Sequence, residues 1–507
     1  MTAMSSDRER RERARSSDGT QIWELSAIEL AAALRRRKLS ATEALEAVLR
    51  RADQIEGDLG PFSLRLDDRA RRAAEAADAA LARGEGGPLC GVPLTTKDSH
   101  WMAGVESTSA SRTRVGFVPH ETVAAIERLE AAGAVIFART AVPEFCYFGV
   151  TESLRFGRTS NPWNVGRTAG GSSGGAGAAV AAGAGPLSLG GDGGGSIRIP
   201  AAFCGIVGFK PTFGLVPHEP SSPGWKTLVA VGPMARSVAD ARLLLRAIAG
   251  PDPRDRHSVP AGPLDIPAPE PGGLRVAVSE DLGFAPLDDD VRRAFRAAVA
   301  RLADAGVSIV PDAPGLGPSV ETWSVIATAE ARYSEAEEYE RHRDLLTPAA
   351  VEFIAAGEQV TAAQYVRAQF AREHIHRAYV DLFARTGAAV LLTPTVGCEA
   401  FPHGRRHPEE IGGVPIGYPD LDWAPFLYDA NLAGLPACAI PIGLGDDGLP
   451  VSMQVLGRRR DDGRALAAAE TIEALIDFTS HPPRNLPPPS TARRVATSST
   501  AESRRKG

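Results

Sequence analysis

Between Gly170 and Pro200 the chain reads GGSSGGAGAAVAAGAGPLSLGGDGGGSIRIP, with twelve glycines, four serines and no histidine. Side chains this small bury almost nothing by themselves, so the stretch can be ordered only inside a larger body that packs closely against it. Its uncharged part, Thr168 to Gly191, is long enough to cross a bilayer, yet nine glycines, several serines and Pro186 supply little transfer energy. A buried segment of a soluble protein is the expectation, with no membrane partner. The rest of the chain is large enough to enclose it: 507 residues, 43% apolar and 23% charged, support a sizeable core.

Fifty-six basic residues against 62 acidic ones give a net charge of −6, which leaves no electrostatic footprint for nucleic acid. Cys90, Cys146, Cys204, Cys398 and Cys438 are odd in number, scattered and free of any C-x-x-C pair. Buried thiols and a reducing compartment, the cytoplasm, are expected. Residues 1–20 mix arginine with acid and lack the apolar run of a secretory signal, while 480–507 is rich in Pro, Ser and Arg. Both read as disordered arms around a folded part at 21–479.

Inside that part, apolar residues at helical spacing run through SAIELAAALRRRKLSATEALEAVLRRADQIEG, and Ser40 through Glu43 forms a capping-box start. DDRARRAAEAADAALARGEG is a further helix, followed by GPLCGVPLTTKDSH, a short apolar strand ending on Lys97. Helix and strand alternate again in ETVAAIERLEAAGAVIFART and in YVRAQFAREHIHRAYVDLFARTGAAVLLTPT, and LPACAIPIG and LPVSMQVLG read as late strands. The alternation predicts an α/β fold: a large mixed, twisted β-sheet flanked by helices on both faces. The proline-rich segment Ala249 to Gly273 is the best candidate boundary, and one domain with a substantial insertion is the expected organisation.

GSSGG matches the G-x-S-x-G elbow around Ser173, but the polar RTSNPWNVGRTAG precedes it where an apolar strand is required. The chain has no Gly-Lys dipeptide for a Walker loop, and the tract has no G-x-G-x-x-G. Close helix packing, with Ser172 or Ser173 capping AGAAVAAG, accounts equally well for the glycines and alanines by themselves. GGDGGGSIRIP adds something more: three glycines before Ser196 leave backbone N–H groups to converge on one point beside a hydroxyl, as acyl transfer needs. A base for that hydroxyl is not found among the ten histidines. His374 and His376 point to different helix faces, His403 and His407 flank GRR in a loop, and no H-E-x-x-H pair suggests a metal. A buried lysine can serve instead, because desolvation disfavours the ammonium form, and Lys97 is placed for it.

Taken together, GPLCGVPLTTKD, AGAVIFARTAVPEF, FGRTSNPWN, the tract from Thr168 to Thr212, LLTPT, NLAGLPACAIPIG and GLPVSMQVLG resemble the amidase signature family over most of the folded part. The resemblance implies Ser196 as nucleophile, Ser172 as bridging serine after a cis peptide, and Lys97 as base. It implies an oxyanion hole of the Gly193, Gly194, Gly195 and Ser196 N–H groups. Asp192 and Arg198 would support the site from behind, Ser173 would hydrogen-bond within it, and Lys210 would be structural. Trp323, Trp423, Phe426 and Tyr428 fall where relatives line a pocket, with core packing as the alternative for each. No cofactor or metal is implied, and the partners are a small-molecule amide and at most a second copy of the chain.

Ala169 and Gly191 depart from the family's frequent proline and threonine. The family's amidotransferase subunit carries glutamine after SIR and an SSLDQIGP run, where this chain has Ile199 and PSSPGWKTLVAVGPMARSVADA. A stand-alone amidase cleaving a non-peptide amide to carboxylate and amine or ammonia is therefore expected. The alternatives are an ester or carbamate hydrolase and a glutamine-hydrolysing amidotransferase subunit.

Overall fold

Ser40 Oγ accepts the Glu43 N–H at 3.1 Å and Glu43 accepts the Ser40 N–H at 3.0 Å, so helix Ala41–Leu59 opens on the predicted capping box. The computed structural model describes residues 21–221, 224–417 and 422–478; the arms expected at 1–20 and 480–507 lie outside the described residues. Eleven strands form one sheet: β1 (Phe62–Arg65), β2 (Pro93–Lys97), β3 (Val135–Thr140), β4 (Leu187–Asp192), β5 (Val207–Lys210), β6 (Ala230–Ala235), β7 (Arg275–Val278), β8 (Ser308–Pro311), β9 (Val390–Pro394), β10 (Ala437–Leu444) and β11 (Pro450–Gly457). Their order is β1-β3-β2-β4-β6-β5-β10-β11-β9-β7-β8.

The pairings β2 with β3, β2 with β4, β9 with β7 and β7 with β8 are parallel, and the others are antiparallel, so the sheet is mixed as the alternation predicts. Every residue of β2, β3 and β4 is buried, the pattern of strands covered on both faces. The strands before Ala249 and those after Gly273 share this one sheet. None of the described helices is long and apolar enough to cross a membrane.

The glycine tract is built into the middle of this body. Gly174–Ala181 is a helix, and all but its last residue is buried. An ideal Cβ at Gly177 would meet Pro200 Cβ and O at 3.1 Å, and one at Gly175 would meet Ala141 N at 2.5 Å. The helix therefore lies closer to helix Arg198–Cys204 and to the end of β3 than side chains would allow. The packing account of these glycines is correct, but its capping detail is not: Ser173 occupies the N-cap position without a side-chain cap bond. The tract then runs through β4 and turns at Gly193–Ser196. Because β2 and β4 are parallel neighbours, with Thr96 opposite Leu189, that turn emerges beside the C-terminal end of β2, where Lys97 sits.

Candidate active site

Lys97 ends a wholly buried strand and is 2% exposed. Its Nζ lies 2.7 Å from Ser172 Oγ and donates to the Gly191 carbonyl at 3.1 Å. Burial pushes its pKa down, opposed by the weaker fields of Cys146 and Asp192. Among the described residues no carboxylate bonds the amine; the Ser172 hydroxyl, the Gly191 carbonyl and the Cys146 thiol are the groups that meet it. The Gly171–Ser172 peptide is cis. Ser173, wholly buried, donates to the same Gly191 carbonyl at 3.3 Å. With no strand before it and no exposure, Ser173 cannot act as an elbow nucleophile.

Ser196 is joined by its backbone to Ser173, the neighbour of Ser172, its carbonyl accepting the Ser173 N–H at 3.1 Å. It keeps 9% exposure, and its hydroxyl makes no hydrogen bond among the described residues. The loop before it is shaped by Asp192, whose Oδ1 accepts the Gly195 N–H at 2.7 Å and whose Oδ2 accepts the Ile197 N–H at 3.1 Å. Gly195 takes φ +117°, a conformation that side chains resist. The Gly195 N–H is thereby consumed, which corrects the expected four-donor oxyanion hole. The N–H groups of Gly193, Gly194 and Ser196 have no acceptor among the described residues.

Asp192 is itself held by Arg198, both fully buried. All five guanidinium N–H groups are used: Asp192 Oδ2 at 2.9 Å, Asp192 Oδ1 at 2.9 Å, Leu427 O at 3.0 Å, Gln454 Oε1 at 2.7 Å and Asn431 Oδ1 at 2.6 Å. Burial alone would raise the Asp192 carboxyl, but Arg198 overrides it and holds it well below the usual carboxylate range. Asn431 Nδ2 returns to Asp192 O at 2.8 Å and Oδ1 at 3.0 Å. The sequence reading missed Asn431 and Gln454, although both lie in stretches that carried the family resemblance. Lys210, beside this pair, bonds Pro211 O at 2.9 Å and is brought down to about 7 by burial; among the described residues no hydroxyl hydrogen-bonds it.

The four aromatics divide. Trp423 stacks on Phe203 and meets Phe401 edge-on within a buried apolar cluster, and Phe426 is 1% exposed core, so for these two the packing alternative holds. Trp323 and Tyr428 reach the loop: the Trp323 indole N–H donates to Gly193 O at 2.7 Å, and Tyr428 packs on Trp323 with centroids 5.0 Å apart. Trp225 and Tyr147, not anticipated, stack at 5.4 Å and line a cavity of about 90 Å³ that begins at Gly191 and Cys146. Arg114 and Glu335 line it as well: Arg114 pairs with Glu335 and Glu338, and burial lifts Glu335 to about 7. His100 and His218 also line it, both driven down chiefly by burial and hence neutral at pH 7. All five cysteines are free; four are buried as expected, whereas Cys146 is half-buried in this cavity. Among the described residues no cluster of His, Cys, Asp or Glu could hold a metal.

A family model described as Amidase matches residues 43–466. A glutamyl-tRNA(Gln) amidotransferase subunit from Synechococcus sp. strain CC9902 is 37% identical, covering 89% of this chain and 96% of the relative. An acylamidase of Rhodococcus erythropolis is 33% identical over 90% and 97%. Among solved structures, a bacterial aryl acylamidase of the amidase signature family superposes with a TM-score of 0.82 at 28% identity, covering 89% of this chain and 96% of that one. A 6-aminohexanoate cyclic dimer hydrolase in complex with substrate gives a TM-score of 0.80 at 28% identity over 91% and 99%.

Proposed function

The chain belongs to the amidase signature family of amide-hydrolysing enzymes, and on that premise we propose that it is a stand-alone hydrolase of neutral carboxylic amides acting through a Ser196 acyl-enzyme. Neutral Lys97 takes the Ser172 proton while Ser172 takes that of Ser196, whose Oγ attacks the amide carbonyl. The Gly193, Gly194 and Ser196 N–H groups receive the developing oxyanion. Ser172 hands a proton to the departing nitrogen as the C–N bond breaks, and water then cleaves the ester, releasing carboxylate and restoring Ser196. The single observation that carries this reading is the 2.7 Å contact between a buried, carboxylate-free Lys97 and Ser172.

The 37% identity to an amidotransferase subunit favours a glutamine-hydrolysing role. Against it stand Ile199 in place of glutamine and the cavity beside Gly191. Among its described lining residues, Arg114 and Glu335 are paired with each other and the histidines are neutral, so no charge is left over for the ammonium and carboxylate of free glutamine. The free cysteines fit a cytoplasmic location.

The test is a hydrolysis panel of aliphatic amides, anilides, carbamates and glutamine, run beside intact-mass detection of a fluorophosphonate adduct. Turnover of a neutral amide above glutamine, with the adduct lost in Ser196→Ala, is expected. Turnover of glutamine alone would move the assignment to the amidotransferase class, and an adduct that persists in Ser196→Ala would end the nucleophile assignment.

A further inference from the structure

The nest that precedes Ser196 is not held by its own glycines. Two anchors fix its peptide planes: Asp192 takes the Gly195 and Ile197 N–H groups, and Trp323, more than a hundred residues downstream on helix Val320–Ser334, takes the Gly193 carbonyl at 2.7 Å. The Gly193–Gly194 peptide is trans, so its C=O and N–H point in opposite directions within one plane. Whatever fixes the Gly193 oxygen therefore fixes the Gly194 N–H, which has no acceptor of its own among the described residues. Two aromatic rings and the Gly194 backbone crowd the indole. Trp225 meets it edge-on at 5.3 Å, Tyr428 packs on it at 5.0 Å, and an ideal Cβ on Gly194 would lie 2.8 Å from its Cε2. Trp225 is tied in turn, its own indole N–H donating to Ala327 O at 2.9 Å on the same helix.

We propose that Trp323 is a positioning residue for the oxyanion donors: its indole N–H, bound to the Gly193 carbonyl, turns the Gly194 N–H toward the reacting carbonyl and keeps it there. The inference rests on the Ser196 acyl-enzyme reading. A glycine pair without this bond is free to rotate its peptide plane, and a donor that must reorient as charge develops contributes less than a preorganised one. The helix that carries Trp323 ends at Ser334, and Ser334 and the adjoining Glu335 line the same cavity as Gly191. One rigid element thus connects the pocket wall to the oxyanion loop.

The experiment compares the wild-type enzyme with Trp323→Phe and with a variant in which Trp323 is replaced by 3-benzothienylalanine, which keeps the bicyclic ring and removes only the N–H. For an amide the panel shows to be turned over, kcat is expected to fall about tenfold in both, less than the 10²–10³-fold loss typical of deleting a donor outright, because the Gly194 N–H remains but is no longer held. KM and inhibition by the product carboxylate should change less than twofold, and the Ki of a trifluoromethyl ketone analogue of the same acyl group should rise in step with the loss in kcat/KM. A merely structural tryptophan would move product affinity and melting temperature without that proportionality. Unchanged kcat in the benzothienyl variant, or a loss in kcat with no change in trifluoromethyl ketone affinity, overturns the proposal. Failure of the ketone to inhibit wild-type enzyme at all would instead strike at the acyl-enzyme reading.

Discussion

Replacing Arg198 by methionine removes the cation of a fully buried pair while keeping much of its volume, and the structure lets the consequence be worked through. The guanidinium uses all five of its N–H groups, two of them on Asp192. In Arg198→Met the Asp192 carboxylate keeps the Gly195 and Ile197 N–H groups and Asn431 Nδ2, but no positive partner hydrogen-bonds it. Breaking one side of a buried pair costs about 3–5 kcal/mol. With an unfolding entropy of about 2.1 cal/mol/K per residue over roughly 450 residues, about 1 kcal/mol/K, the melting temperature should fall by about 3–5 °C near neutral pH. The pH dependence has a definite sign. Arg198 holds the native Asp192 carboxyl below its ordinary value of 3.8, so the pair's contribution is complete above about pH 4 and is lost only as pH falls through the depressed value. Without Arg198, burial dominates and lifts that carboxyl, so the variant is relieved by protonation at a higher pH than the wild type. Scanning calorimetry at pH 7 and at about pH 4.5 should therefore show a gap that narrows on acidification. A drop of less than about 1 °C at pH 7, or a gap independent of pH, would refute the reasoning.

Ser196→Ala and Lys97→Ala should each lower kcat/KM for a hydrolysed amide by at least about 10³-fold, measured by amine release; a wild-type rate in either removes the proposed mechanism. Because burial depresses the Lys97 pKa, kcat/KM in the wild type should climb an acid limb as the amine loses its proton and reach its plateau below the ordinary lysine value of 10.5. The same depression is a native-state penalty, complete below the lowered pKa and vanishing as pH rises to 10.5. Lys97→Met should accordingly melt above the wild type at neutral pH and lose that advantage by about pH 10.5; a variant less stable at every pH would show that the amine is not destabilised by burial.

What the sequence made legible is local. The strand ending on Lys97, the capping box at Ser40 and the serines of the glycine tract are short patterns whose meaning is fixed by neighbours a few residues away, and the backbone follows them. The site's supports are different in kind. Asn431 and Gln454 reach Arg198 across 233 and 256 residues, and nothing in their own surroundings marks either as the acceptor of a buried guanidinium. Three glycines before a serine announce free N–H groups, but which of them stays free depends on where the Asp192 carboxylate lands, and it lands on Gly195. The aromatics show the same limit. Trp323 and Trp423 are equally buried, and only the tertiary fold sends one indole N–H to the oxyanion loop and the other ring into an apolar cluster.

Asp192 and Arg198 carry a second consequence, for the base rather than for the loop. In the proposed mechanism Lys97 must stay largely neutral to accept a proton, and the nearby carboxylate that opposes this is Asp192, whose field raises the lysine pKa. Arg198 takes that carboxylate through both oxygens, so the charge that orders the loop is largely cancelled before it reaches Lys97. His100 and His218, facing the same region, are held neutral by burial and so add no further positive charge beside the amine. The pair thus does two things at once: it spends a carboxylate on fixing backbone donors and withholds it from the amine. If so, Arg198→Gln, which keeps hydrogen-bonding capacity and loses the charge, should move the acid limb of kcat/KM to higher pH as well as lowering its plateau. Arg198→Lys, which keeps the charge and loses the fork geometry, should lower the plateau with a smaller displacement of the limb. A limb that stays in place in Arg198→Gln would mean that Asp192 does not act on Lys97 through space and that the pair serves the loop alone.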